Sequence, residues 1–144
     1  MRSLLDVNVL IALLDAAHMH HGLATRWLTR ELARGWASCP LTQNGCLRVM
    51  SAPAYPGALA AAEVAARFEE AAQHPSHEFW PDDVSLVDPA RIDWTRVLGH
   101  RQVTDVYLLA LAVEHRGRFV TFDRRIVPAA VRGAQAQHLE VLAL

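Results

Sequence analysis

Apolar residues recur along this chain in two rhythms: short continuous runs and longer stretches with helical spacing. The runs at 3–5, 36–39, 78–80, 119–122 and 139–142 predict strands, and 85–87 has the same strand-like character. Between them the spacing predicts helices over 7–14, 18–34, 41–50, 58–73 and 105–116, with a short one around 93–98. The punctuation agrees. Gly35 stops the second helix, Pro40 opens the third, His74-Pro75 closes the fourth and Gly117 ends the last. Thr104 stands as the N-cap of 105–116, a helix apolar almost all round and therefore expected at the centre of the fold. Strands alternating with helices imply an α/β fold: a mostly parallel central sheet with helices on both faces. The stretch 55–57 is the only linker-like one, and no repeat or low-complexity segment interrupts the pattern, so one domain over 1–144 is expected.

Three carboxylates stand at the edges of these apolar segments. Asp6 ends the run Leu4-Leu5, Asp105 opens the central helix, and Asp123 follows Phe119-Val120-Thr121-Phe122. Each has a structural explanation by itself, as a helix cap, a first-turn acid offsetting the macrodipole, or a turn residue. Together they demand more, because half-burying several carboxylates costs several kcal/mol (order of magnitude) unless a partner or a metal offsets it. Parallel sheets bind ligands beyond the carboxyl ends of their strands, near the point where strand order reverses. Asp6 and Asp123 each follow a strand directly, and Asp105 begins the helix feeding the Asp123 strand. The pattern therefore allows all three to meet at one edge of the sheet as a cation site.

Composition narrows the alternatives. With 144 residues, 52% hydrophobic and 20% charged, the chain reads as soluble and globular. The apolar stretch Val9–Leu14 is far too short to span a bilayer, and no basic segment with a small-residue cleavage site precedes it. A cytoplasmic protein without membrane contact is expected. There is no lysine, and the net charge of −1 gives no global attraction to phosphate, so any nucleic-acid surface must be a local patch. Arg124 and Arg125, directly after Asp123, are the foremost candidates for phosphate contacts, with Arg48 and Arg101 behind them. Cys39 and Cys46 match neither zinc nor redox spacing and are expected to be packed thiols. His18, His20 and His21 lack a partner pair at zinc-ligand spacing and are expected to begin a helix. Asp82-Asp83 reads as a turn. Phosphate-binding glycine loops and Ser-His-Asp or Cys-His arrangements are absent.

Three segments carry a resemblance: Leu4-Leu5-Asp6-Val7-Asn8-Val9-Leu10-Ile11, Val103-Thr104-Asp105-Val106-Tyr107-Leu108-Leu109-Ala110-Leu111-Ala112, and Val120-Thr121-Phe122-Asp123. In this order they resemble PIN-domain ribonucleases, most closely the VapC-type toxins of type II toxin–antitoxin pairs. Pro40-Leu41-Thr42-Gln43-Asn44-Gly45-Cys46-Leu47-Arg48-Val49 is similar to the third helix of that family. The resemblance implies a PIN-like three-layer domain. It also implies that Asp6, Asp105 and Asp123 hold Mg²⁺ or Mn²⁺, hard cations suited to oxygen ligands. The implied reaction is endonucleolytic hydrolysis of RNA by water activated at the cation. Asn8 would orient a carboxylate or the attacking water. The implied partners are an RNA substrate, a cognate antitoxin lying across the acidic groove, and a second copy of the chain in a homodimer. The helices at 41–50 and 58–73 would wall the groove.

The chain departs from the family at one place. Many members carry glutamate on the third helix where this sequence has Gln43, which keeps an oxygen but loses a charge and any capacity as a base. Gln43 thus belongs to the expected catalytic set with Asp6, Asp105, Asp123 and Asn8, while putting a second metal in doubt. It also raises the alternative of a PIN-fold RNA-binding protein with weakened or lost nuclease activity. A phosphotransfer domain using Asp6 as nucleophile is more distant, because the second acid such sites need two residues on is Asn8 here.

Overall fold

The computed structural model describes residues 1–143, so the last residue of the expected 1–144 domain lies outside the described residues. Five short strands form one sheet: β1 (Ser3–Leu5), β2 (Trp36–Ser38), β3 (His77–Phe79), β4 (Arg118–Thr121) and β5 (Leu139–Val141), in the order β3-β2-β1-β4-β5. Every pairing between them is parallel. The helices are α1 (Val7–Leu14), α2 (His21–Glu31), α3 (Pro40–Met50), α4 (Ala61–Ala72) and α5 (Val103–Glu114).

Strand alternation divides the core between the two faces of the sheet. Leu4, Ala37 and Phe119 pack under α5, whose residues Val106–Ala112 are all buried. Their neighbours Leu5, Trp36 and Val120 turn to the other face and meet Leu10 of α1, Trp27 of α2, Cys46 of α3 and Phe68 of α4. Three layers result, with burial of each such leucine or phenylalanine worth about 1.5–3 kcal/mol. Gly45 lets α3 approach α1 closely: a Cβ there would stand 2.6 Å from Val7 Cγ2, beside Asp6. Both cysteines are buried, unpaired thiols, as the sequence suggests. Burial pushes them up to about 11 for Cys39 and about 12 for Cys46.

Several expected boundaries move, for local reasons. Residues 18–20 form a turn instead of the start of α2, because the Nδ1 of His18 accepts from the His20 N–H and its carbonyl from the His21 N–H. The segment 85–87 is a turn held by the Ser85 hydroxyl accepting from the Val87 N–H. The helix expected around 93–98 contracts to one 3₁₀ turn at Trp94–Arg96. Thr104 is not the cap of α5. A 3₁₀ turn at His100–Gln102 runs straight into the helix, which begins at Val103 with Gln102 already in a helical conformation, leaving no extended residue to cap it. At the far end of α5 the left-handed residue is Arg116 (φ 56°), while Gly117 serves close packing: a Cβ there would lie 2.6 Å from Trp80. Asp82 does more than turn the chain, since its carboxylate accepts from the Leu41 N–H at the start of α3. No helix among the described residues is long and apolar enough to cross a membrane.

Candidate active site

Strand order reverses between β1 and β4: the chain runs outward from β1 to β2 and β3, then returns to β4 and β5 on the other side. That crevice receives Asp6, one residue beyond β1, and Asp123, two residues beyond β4. Asp105 approaches from the first turn of α5. All three expected acids are therefore delivered to the carboxyl edge of the sheet.

Asp6 is 6% exposed and fully engaged. One carboxylate oxygen caps α1 by accepting from the Val7 N–H at 2.8 Å, and the other accepts from the Thr121 hydroxyl at 2.6 Å. Burial raises its pKa against these two hydrogen bonds, and the charge on Asp123 raises it further. Thr121, itself wholly buried, also accepts from the Asp123 N–H at 3.1 Å. Its hydroxyl thereby ties the first acid to the backbone of the third. The sequence reading missed this residue, although its signal was present: a hydroxyl in an otherwise apolar strand, two residues before an aspartate.

Asp105 has no side-chain hydrogen bond among the described residues. Burial, then the carboxylates of Asp6 and Asp123, push its pKa up to about 7, with Arg125 pulling the other way. Asp123 behaves oppositely. Its carboxylate accepts from Arg125 three times, at 2.8 Å from the backbone N–H and at 3.1 Å from both Nε and Nη2, and these bonds hold its pKa low. A cleft of about 280 Å³ opens beside them, lined by His100, Arg101, Gln102, Asp105, Asp123 and Arg125 among others.

Asn8 and Gln43 make no hydrogen bond to the three aspartates among the described residues. Asn8 is exposed on the first turn of α1. The Gln43 amide donates to the Ser38 hydroxyl at 3.1 Å, and Ser38 in turn bonds His77 Nε2 at 2.8 Å. Gln43 also lines a different cleft, of about 250 Å³ between α3 and α4, with Leu47, Ala65, Phe68 and Glu69. Arg124 and Arg48 are exposed, and Arg101 reaches the aspartate cleft. The His18 and His20 rings lie 5.6 Å apart and tilted, and His21 bonds the Ala12 carbonyl.

The donor chemistry fits a divalent cation. Asp6, Asp105 and Asp123 offer only hard oxygens, and burial together with the two neighbouring carboxylates disfavours the charged form of Asp105, which a cation would offset. Among the described residues, however, no three His, Cys, Asp or Glu side chains stand close enough together to hold a metal ion.

A family model described as PIN domain matches residues 3–131. Ribonuclease VapC44 of Mycobacterium tuberculosis is 52% identical over 142 residues, covering 99% of this chain and all of the relative. The chain belongs to the PIN-domain family of VapC-type ribonucleases. Ribonuclease VapC39 of the same organism is 44% identical over 92% of this chain and 96% of its own length. Two solved PIN-family structures share the fold at low identity. One is VapBC2 from Rickettsia felis, bound to a DNA fragment from its promoter, with TM-score 0.67, 10% identity and coverage of 99% of this chain and 100% of that one. The other is VapC20 of Mycobacterium tuberculosis, described as a sarcin-ricin loop cleaving toxin, with TM-score 0.59, 16% identity and coverage of 85% and 91%. The fold expected from the sequence, an α/β PIN-like domain with a parallel sheet between helical layers, is the one found.

Proposed function

We propose that this chain is an endoribonuclease that hydrolyses RNA phosphodiesters with a divalent cation, Mg²⁺ or Mn²⁺, held by Asp6, Asp105 and Asp123. The observation that carries the reading is the delivery of Asp6, Asp105 and Asp123 to one crevice at the carboxyl edge of the sheet, where burial and the two neighbouring carboxylates raise the pKa of Asp105 to about 7. A fold does not gather three acids at a ligand-binding crevice without something positive to offset them. When bound, a divalent cation supplies an activated water and neutralises charge developing on the phosphate.

The chain's own residues prepare that step. Thr121 and the Val7 N–H fix both oxygens of Asp6, so its orientation is set before any ligand arrives. Asp105 makes no side-chain hydrogen bond among the described residues, and burial with the two neighbouring carboxylates raises its pKa to about 7; it would be the third carboxylate to hold the cation. Arg101 and Arg125 border the cleft and place positive charge along the path of an RNA backbone, the local patch that a net charge of −1 requires.

The named relatives support the toxin role. We assign to this chain a cognate antitoxin, pairing with a second copy of itself, and a cytoplasmic location. The cleft between α3 and α4 supports an antitoxin segment, offering Leu47, Ala65 and Phe68 beside the acidic Glu69. A decayed enzyme finds no support among the relatives, which are named as ribonucleases.

Purified protein with Mn²⁺ is expected to cut structured RNA, and Asp6→Ala or Asp105→Asn to lower the rate by at least about 100-fold. Cutting that survives either substitution, or complete removal of metal by a chelator, would overturn the reading. Co-expression with the protein encoded beside it is expected to yield a complex in which cutting is suppressed.

A further inference from the structure

Arg125 is the one basic side chain bonded to any of the three acids among the described residues, and it is bonded in an unusual way. Its Nε and Nη2 form a planar fork on the two oxygens of Asp123, and its own N–H adds a third bond to the same carboxylate. The fork occupies the oxygens that a cation would need. Yet the arginine is not locked in place: its side chain is 71% exposed against 22% for Asp123. It also lines the same cleft as Asp105, His100 and Arg101. Exposed ion pairs are cheap to exchange, and the guanidinium fork fits a phosphate as well as it fits a carboxylate.

We propose, building on the cation-dependent reading above, that Arg125 is an exchangeable counter-ion: it neutralises Asp123 in the cation-free protein and passes to an RNA phosphate when a divalent cation takes its place. Arg125 is thereby a positioning residue, coupling metal loading to substrate binding. The arginine freed by the cation is the one that grips the backbone entering the cleft. The side chain of Arg124, its exposed neighbour, makes no hydrogen bond or ion pair with Asp123 among the described residues and takes no part in the exchange.

The test compares Arg125→Ala, Arg125→Lys and Arg124→Ala. Mn²⁺ alone is titrated into each protein and free Mn²⁺ followed by electron paramagnetic resonance, a readout independent of cleavage. Arg125→Ala is expected to tighten Mn²⁺ binding about 2- to 5-fold, with Arg125→Lys intermediate and Arg124→Ala close to wild type. At saturating Mn²⁺, Arg125→Ala is expected to raise KM for RNA by a similar factor with a smaller change in kcat. It should also flatten the dependence of log KM on log salt by about 0.7, the loss of one phosphate contact on a single strand. Unchanged or weaker Mn²⁺ binding in Arg125→Ala would overturn the proposal, as would an unchanged KM or an equal tightening in Arg124→Ala. Wild-type protein that binds no Mn²⁺ would instead sink the cation-dependent reading itself. A protein that binds Mn²⁺ and cuts RNA, but ignores Arg125→Ala, loses only this inference.

Discussion

The sheet carries two acidic clusters, and they are resolved in opposite ways. Toward the start of β4, Arg118 binds Glu31 of α2 at 2.8 Å and Glu140 of β5 at 2.9 Å, while its Nε donates to Ser3 at 3.1 Å. Glu140 is further fixed by the Trp27 indole N–H at 2.9 Å. Its second oxygen stands close enough to Arg118 for an ion pair, although not aligned for a hydrogen bond. Here two carboxylates surround a guanidinium that is only 17% exposed. Burial would raise the pKa of Glu31, but its bonds to Arg34 and Arg118 outweigh that and bring it below its ordinary value. At the other end of β4, one exposed arginine is bonded to Asp123 alone of three carboxylates, and Asp105 is left raised to about 7. The first cluster is a completed charge network that closes the fold. The second is left short of positive charge, which is what the proposed cation site requires.

Removing the central cation of the completed cluster gives the largest effect. Arg118→Met keeps the length of the side chain but strands Glu31 and Glu140 in a partly buried setting, and should cost about 3 kcal/mol. Chemical denaturation would read it as a lower midpoint with an unchanged slope. A loss below about 0.5 kcal/mol would mean the network is an ordinary surface ion pair, and the contrast between the clusters would collapse.

Next comes the hydroxyl that links two of the acids in the incomplete cluster. Thr121→Val preserves shape and burial but removes the donor to Asp6 and the acceptor of the Asp123 N–H. A cost of about 1–3 kcal/mol follows from groups left unpaired, together with weaker Mn²⁺ binding as Asp6 loses its fixed orientation. Unchanged Mn²⁺ affinity would show that Asp6 is held by its capping bond to Val7 alone.

How much of this contrast the sequence carries depends on the range of the contacts that make it. Asp6, Asp105 and Asp123 were visible because each interrupts an apolar segment at a strand or helix end, a local signal that parallel topology turns into a spatial one. The all-apolar α5 was legible for the same reason. Arg118, Glu31 and Glu140 were not, because they join three elements far apart in sequence, and each looks like an ordinary surface charge by itself. The hydrogen-bonded chain from Gln43 through Ser38 to His77 stayed hidden likewise, since it needs β2 and β3 to be paired before the side chains can meet. Helix starts failed at short range: the turn at 18–20 and the 3₁₀ entry at 100–102 depend on backbone conformations that apolar spacing does not encode.

The smallest effect separates the clusters most cleanly, because it predicts opposite signs. In the folded, cation-free chain Asp105 loses its proton near 7, against an ordinary value of 3.8. Between those values the folded chain holds more protons than the unfolded one. The stability this group contributes is therefore full below about 4 and is lost as pH rises through 7. Asp105→Asn removes that loss, so in a chelator the variant should match wild type below about pH 4 and melt about 3 °C higher at pH 8. Added Mn²⁺ should reverse the order by stabilising only the wild type. Glu31, whose pKa is lowered, contributes stability that is present at neutral pH and lost as pH falls through its folded value. Glu31→Gln should accordingly melt below wild type at pH 7 and converge with it in acid. Parallel pH profiles for the two variants would show that neither cluster is what its geometry indicates, whereas slopes of opposite sign would mark one as a structural ion network and the other as an uncompensated acidic site.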